Sequence, residues 1–145
     1  MKIALGSDHA GFALKEALKK QLMKAGHEIK DFGAYSKESC DYPDFAFLVA
    51  GEVLEGKYER GILVCGSGVG MSIAANRLRG IRAALVSDLH TAKQSRAHGD
   101  TNILCLGAKR IKPPLANKIV TTWLATPFSN EERHLRRIKK IDREG

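Results

Sequence analysis

No apolar run in the chain approaches the roughly 18 residues needed to cross a bilayer, so a helical membrane protein is excluded. Met1-Lys2 leads straight into the apolar segment Ile3-Ala4-Leu5, with no secretory h-region or cleavage site, and the expectation is a cytoplasmic protein. Cysteine is scarce. Cys40, Cys65 and Cys105 are odd in number and share no CxxC spacing, which argues against a disulfide framework and against a cysteine-based zinc site. Aromatic residues make up 6% of the chain, and none lies among the basic residues of the tail, so the stacking platform of a single-strand nucleic-acid binder is missing. The net charge of +8 keeps anionic ligands in play, but it is spread out. From Glu131 onward, Arg133, Arg136, Arg137, Lys139, Lys140 and Arg143 interleave with Glu131, Glu132, Asp142 and Glu144, the pattern of a solvated helix. There is no internal repeat and no low-complexity linker.

What is present is an ordinary globular composition, 43% apolar and 28% charged over 145 residues. That length predicts one domain, able to bury roughly 70% of its unfolded surface without disulfides. The punctuation alternates strand and helix. Strands are expected over Lys2–Ser7, His27–Phe32, Arg60–Cys65, Ile81–Val86 and Asn102–Leu106. The first helix runs from Gly11 to Ala25, with Leu14, Ala17, Leu18, Leu22 and Ala25 on one face. Residues 35–41 read as a polar loop. Pro43 opens a second helix, whose face is Ala46, Val49, Ala50 and Val53. Further helices follow the glycine loop as far as Leu78, cover Asp88 to Ala97, start at Pro113-Pro114 and stop before Pro127, and begin again near Ser129 or Asn130. Such alternation implies a parallel sheet with helices on both faces, and ligands in such sheets sit beyond the carboxyl ends of the strands. Asp8-His9, Cys65 to Gly70 and Ser87-Asp88 occupy three such ends.

The richest of these is Cys65-Gly66-Ser67-Gly68-Val69-Gly70, a single cysteine ending a strand, then alternating glycines, then a helical pattern. Backbone N–H groups and a helix N-terminus aimed into one loop suit an anion and suit a thiolate. The bland alternative is that Cys65 is one more small buried hydrophobe. The spacing Gly66-x-Gly68-x-Gly70 lacks the G-x-G-x-x-G of dinucleotide sites, although Asp88 imitates the ribose-binding acid, and no Gly-Lys-Ser/Thr follows for a P-loop. Asp8 reads either as a helix cap or, with His9, as part of a phosphate site. His98, in a loop before the fifth strand, carries an imidazole, the side chain most often used for proton transfer, but equally reads as a solvated residue. Arg133 and Arg137 share a helix face and could fork onto one phosphate, or simply face water. Cys105 reads as core. His27, His90 and His134 receive no role.

Taken together, several ordered motifs resemble the type B ribose-5-phosphate isomerases, a family that also holds allose- and galactose-6-phosphate isomerases. They are Gly6-Ser7-Asp8-His9-Ala10-Gly11, Asp41-Tyr42-Pro43-Asp44, Gly61 to Gly70, Ser72 to Asn76, Gly80 to Ala84, Asp100-Thr101-Asn102 and Arg133-His134. The resemblance implies a three-layer α/β/α sandwich with a five-stranded parallel, Rossmann-like sheet. It also implies an aldose–ketose isomerisation through an enediolate, with no cofactor and no metal. It matches Cys65 to the catalytic base, the amides of Gly66, Ser67, Gly68, Val69 and Gly70 to enediolate donors, His98 to the ring-opening acid, and Ser67 to a hydroxyl assisting it. It places Asp8 on sugar hydroxyls and His9, Arg133 and Arg137 on phosphate. Gly99 stands where the family usually has asparagine, Lys109 where arginine is common and Ser67 where threonine is frequent, all three still at substrate-binding positions. Cys65 favours a pentose or allose phosphate over galactose 6-phosphate. The partners implied are a phosphorylated sugar and a second copy of the chain, as a homodimer or dimer of dimers with shared sites and the helix of about 130–144 at the interface. Neither nucleic acid nor a membrane is implied. The non-enzyme alternative is a nucleotide- or nucleic-acid-binding module using the glycine loop and basic surface.

Overall fold

The computed structural model describes residues 1–144; Gly145, the last residue of the expected domain, lies outside them. Five strands, β1 (Lys2–Ser7), β2 (Glu28–Asp31), β3 (Arg60–Cys65), β4 (Ala83–Leu85) and β5 (Ile103–Gly107), form one all-parallel sheet in the order β2-β1-β3-β5-β4. Six helices flank it: α1 (Phe12–Lys24), α2 (Tyr42–Leu54), α3 (Val69–Ala75), α4 (Leu89–Gly99), α5 (Pro113–Ala125) and α6 (Glu132–Glu144). The expected α/β architecture is present.

Alternation along the strands sorts side chains into two cores. Ile3, Leu5, Ile62, Val64, Leu104 and Leu106 face one side, where Leu14, Leu18 and Leu22 of α1 and Ala116, Ile119, Val120 and Trp123 of α5 cover them, with Ala92 of α4. Ala4, Leu63, Cys65, Ile103 and Cys105 face the other, under Ala46, Val49, Ala50 and Val53 of α2 and Met71, Ala74 and Ala75 of α3. Each parallel crossover therefore has a helix whose apolar stripe matches one strand face, the condition for burying both faces of a parallel sheet.

The boundaries differ from expectation where side chains capture backbone groups. Strand β4 is three residues, not six, because the Asn102 Oδ1 accepts the Arg82 N–H at 2.8 Å and the Asn76 amide exchanges both its bonds with the Ala83 backbone at 2.8 and 2.9 Å. Helix α3 ends at Ala75 rather than Leu78, since the Arg77 and Leu78 amides turn back to Ala74 and Ala75. Helix α6 starts at Glu132, after Asn130 adopts a left-handed φ of 60°. On α1, Ala25 is exposed rather than buried, and Lys15 is buried instead.

That lysine is the main surprise of the core. Lys15, 0% exposed, reaches Asp31 at the end of β2 at 2.7 Å and the Ala34 carbonyl at 2.5 Å. Its ammonium also lies 5.3 Å from the Phe12 ring centroid and 5.5 Å from that of Tyr35. Burial works to raise the Asp31 carboxyl, yet the Lys15 ammonium, the Gly33 N–H and Lys19 outweigh it and hold Asp31 below the usual carboxylate range. Gly33 and Ala34 exchange backbone bonds with Ser7 at 2.6 Å each, so this buried pair braces the exit of β1 where Asp8 and His9 follow.

Candidate active site

Because the sheet is parallel, the carboxyl ends of β1, β3 and β5 lie side by side, with Ser7 opposite Val64 and Cys65 opposite Gly107. The loops leaving them build one cleft of about 620 Å³, lined by Asp8, His9, Ala10, Tyr42, Cys65, Gly66, Ser67, Val69, Gly70, Ile73, Lys109 and Arg110. The strand order decides this membership. β5 inserts between β3 and β4, so the third loop is the one carrying Lys109, whereas Ser87-Asp88 sits further out. The Asp88 carboxylate caps α4, accepting the Thr91 N–H at 2.7 Å and its hydroxyl at 2.9 Å, and that backbone bond holds it below the usual carboxylate range. A ribose-binding role for Asp88, and with it the nucleotide reading of the glycine loop, loses its acidic partner.

Cys65 is 4% exposed and packs in the α2–α3 core, but it lines the cleft, and its Sγ accepts the Gly68 N–H at 3.1 Å. Cys105, on the same sheet face, is fully buried; burial first, and then proximity to Cys65, pushes its thiol well up, so it remains core. The loop is internally bonded: the Val69 N–H donates to the Ser67 Oγ at 3.2 Å. The Gly68 and Val69 amides are thus engaged within the loop rather than pointed at a ligand. The β5–α5 connection clips onto it through Ala108 N–H to Cys65 carbonyl and Lys109 N–H to Gly66 carbonyl, both 2.9 Å, which carries the Lys109 stem across Gly66.

Asp8 and His9 are held from outside the cleft. One Asp8 oxygen accepts the Gly11 N–H at 2.9 Å, so it does tie down the start of α1 while lining the cleft. The His9 Nδ1 accepts the Cys40 N–H at 3.2 Å, which makes Nε2 the hydrogen-bearing nitrogen of the neutral ring. Tyr42 and Arg110 also line the cleft, without a role in the sequence reading. A Cβ added at Gly70 would stand 2.5 Å from the Tyr42 ring, so the glycine is what lets the tyrosine lie over the loop.

His98, Gly99, Arg133 and Arg137 do not line this cleft. They gather at the far end of α4, where α6 packs on it. The His98 ring is exposed and stacks on the buried His134 ring, with centroids 4.2 Å apart and planes 13° apart. Two arginines without a role in the sequence reading fix this region. Arg96, 4% exposed, binds Asp100 at 2.8 Å, the Thr101 carbonyl at 2.6 Å and the Thr126 carbonyl at 3.2 Å. Arg82 bonds the Gly99 carbonyl at 2.9 Å and Asp142 of α6 at 2.9 Å. Arg133 is exposed and bonds Glu131 at 3.0 Å; Arg137 is exposed. The sequence signal for the two clamps was faint, since arginine in a basic chain reads as surface.

Among the described residues no group of three or more histidine, cysteine, aspartate or glutamate side chains could hold a metal ion, and no helix is long and apolar enough to cross a membrane.

A parallel sheet with a cysteine–glycine loop and an Asp-His pair at its carboxyl edge, and with Lys109 and Arg110 in the same cleft, defines a small α/β protein with its candidate site at the strand ends. The chain belongs to the Ribose/Galactose Isomerase family, whose model matches residues 3–141. It is 44% identical over 140 residues to ribose-5-phosphate isomerase B of Escherichia coli, covering 97% of this chain and 93% of that one. Among solved structures, ribose-5-phosphate isomerase B of Clostridium thermocellum superposes with a TM-score of 0.98 at 47% identity, over 99% of this chain and 97% of that one. A ribose 5-phosphate isomerase of Thermotoga maritima superposes with a TM-score of 0.96 at 52% identity, over 98% and 97%.

Proposed function

We propose that the protein interconverts ribose 5-phosphate and ribulose 5-phosphate, with Cys65 as the base of an enediolate mechanism. The observation that carries this is the convergence of Cys65, Ser67, Asp8, His9 and Lys109 on one cleft at the carboxyl edge of β1, β3 and β5. The names carried by the relatives point to the same sugar phosphate. In this reading the furanose opens first: the C1–O4 bond breaks, O4 gains a proton and the C1 hydroxyl loses one, with His98 relaying and Ser67 assisting. Cys65 then takes the C2 proton of the open aldose, leaving charge on the enediolate oxygen O1; the O2 hydroxyl proton passes to O1, and the proton held by Cys65 returns at C1, giving the C2 ketone. The loop amides not already engaged, those of Gly66, Ser67 and Gly70, with Lys109 beside them, oppose that charge where it develops. Asp8 holds sugar hydroxyls. His9 Nε2–H, Arg133 and Arg137 hold the phosphate, whose binding orients the reacting carbons.

His98 and the two arginines belong, in this reading, to the site of a second copy. Supporting it, Val69, Ile73, Leu85 and Leu115 expose apolar surface around and beside the cleft, and α6 exposes Leu135 and Ile141. Cys65→Ala should lower ribose 5-phosphate turnover by about 10²-fold or more with the fold intact by circular dichroism, in buffer with chelator. Full activity in that variant refutes the base assignment. Comparing kcat/KM for ribose 5-phosphate and allose 6-phosphate decides between a five-carbon and a six-carbon substrate.

A further inference from the structure

The proposed mechanism uses His98 but leaves the ring beneath it unexplained. We propose that His134 is a positioning residue for His98, its buried ring serving as the face that holds the His98 imidazole for ring opening; this rests on the reading of His98 as the ring-opening group. The two rings lie nearly parallel, 13° apart, with centroids 4.2 Å apart. His134 is 6% exposed and its Nε2 is buried without a hydrogen-bond partner, the nearest acid being Glu131 at 3.7 Å. A buried polar atom left unpaired is costly, so a histidine here calls for a reason beyond packing.

The reason is in the charges around it. Burial first, then His98, Arg133 and Arg137, push the His134 imidazole down, and Glu131 only partly opposes them. These influences favour the uncharged form of the His134 ring. Across the interface, the charged groups flanking His98 on α4, Arg96 and Asp100, are bonded to each other at 2.8 Å, and Arg82, reaching from the start of β4, is bonded to Asp142. An uncharged aromatic face accepts His98 in both of its protonation states; a second cation at 4.2 Å would repel the protonated one. An exposed imidazole otherwise turns about two side-chain bonds, and ordering it during turnover costs free energy that the stack removes in advance.

The test separates ring opening from proton transfer. Exchange of the C1 hydrogen of ribulose 5-phosphate, an open-chain sugar, with deuterated solvent needs the enediolate step alone. His134→Ala is expected to lower kcat on ribose 5-phosphate about tenfold or more, with KM within about twofold and the exchange rate unchanged. His134→Phe, which keeps a stacking ring, should restore most of the loss, and His134→Asn should not. His98→Ala should reproduce the His134→Ala pattern. Unchanged turnover in His134→Ala or His98→Ala, a parallel fall in exchange, or equal turnover in the Phe and Asn variants overturns the proposal; the last comparison stands even if the alanine variant fails to fold. Cys65→Ala, measured alongside, should lose both turnover and exchange. Retention of exchange there refutes the base assignment, independently of the histidine stack.

Discussion

At Gly68 the backbone has φ of 78°, and an added Cβ would stand 2.4 Å from Leu85 Cδ1 and 2.9 Å from the Leu106 carbonyl carbon. The left-handed conformation alone costs a residue with a side chain about 1–2 kcal/mol, and the backbone contact cannot relax by turning a side chain. The same residue donates the N–H that meets Cys65 Sγ. Gly68→Ala is therefore expected to lower stability by about 2 kcal/mol or more, read as a urea midpoint, and to cost activity beyond what the lost stability explains, because the loop must shift and carry the N–H of residue 68 away from the sulfur. A variant as stable and active as the parent would show that the loop does not depend on this glycine. The glycine spacing was visible in the sequence, but the bond that matters, from the third residue of the loop back to the sulfur, was not.

Between α1 and β2, the Lys15–Asp31 pair lies beside the apolar face of α1, outside the residues that the sequence pattern places in the core. Removing one partner of a buried pair strands the other charge, so Asp31→Asn should destabilise by about 3–5 kcal/mol, while the Lys15→Met, Asp31→Asn double variant should recover part of that loss. Chemical denaturation of the parent, Lys15→Met, Asp31→Asn and the double variant decides it: additive losses would mean the two side chains do not act as a pair. The pair also sets a pH dependence. Asp31 titrates lower in the folded chain than in the unfolded chain, so the unfolded state binds more protons as pH falls. Its contribution is fully present above the usual carboxylate pKa and is lost as the pH drops from about 5 toward 2, and Asp31→Asn should flatten that acid limb. His134 adds a second limb of the same sign at higher pH: its folded pKa is also lowered, so stability should begin to fall below about pH 6.5, the usual histidine value. A His134→Phe variant, measured by urea midpoint from neutral to mildly acid pH, should lack that limb.

For the whole molecule the consequential finding is a separation. The cysteine cleft and the His98–α6 cluster stand apart on one chain, and the proposed shared site requires a second copy to bring its cluster to the cleft of the first. The expected result is complementation. Cys65→Ala and His98→Ala, each impaired alone, should together reach about a quarter of parental activity, above the mean of the two variants measured separately, when refolded in equal amounts, because half the pairs are mixed and each mixed pair rebuilds one complete site. No recovery would place both groups in a single-chain site and end the shared-site reading.

Composition and periodicity determined the class of fold. Strand–helix alternation, the Pro43 and Pro113 helix starts and the Ala46-Val49-Ala50-Val53 stripe depend on neighbours a few residues apart, and all of them appear in the structure. The motifs around Cys65, Asp8 and His9 were legible for the same reason, being short and contiguous at strand ends. Tertiary structure alone decided which strand ends are neighbours, and so left Asp88 outside the cleft that Lys109 lines. It also decided that Lys15 goes inside, that Arg82 and Arg96 clamp the end of α4, and that His98 finds a partner in His134, 36 positions away in the numbering. Those outcomes depend on the crossover order of the sheet and on pairings between distant segments, which local propensity does not encode.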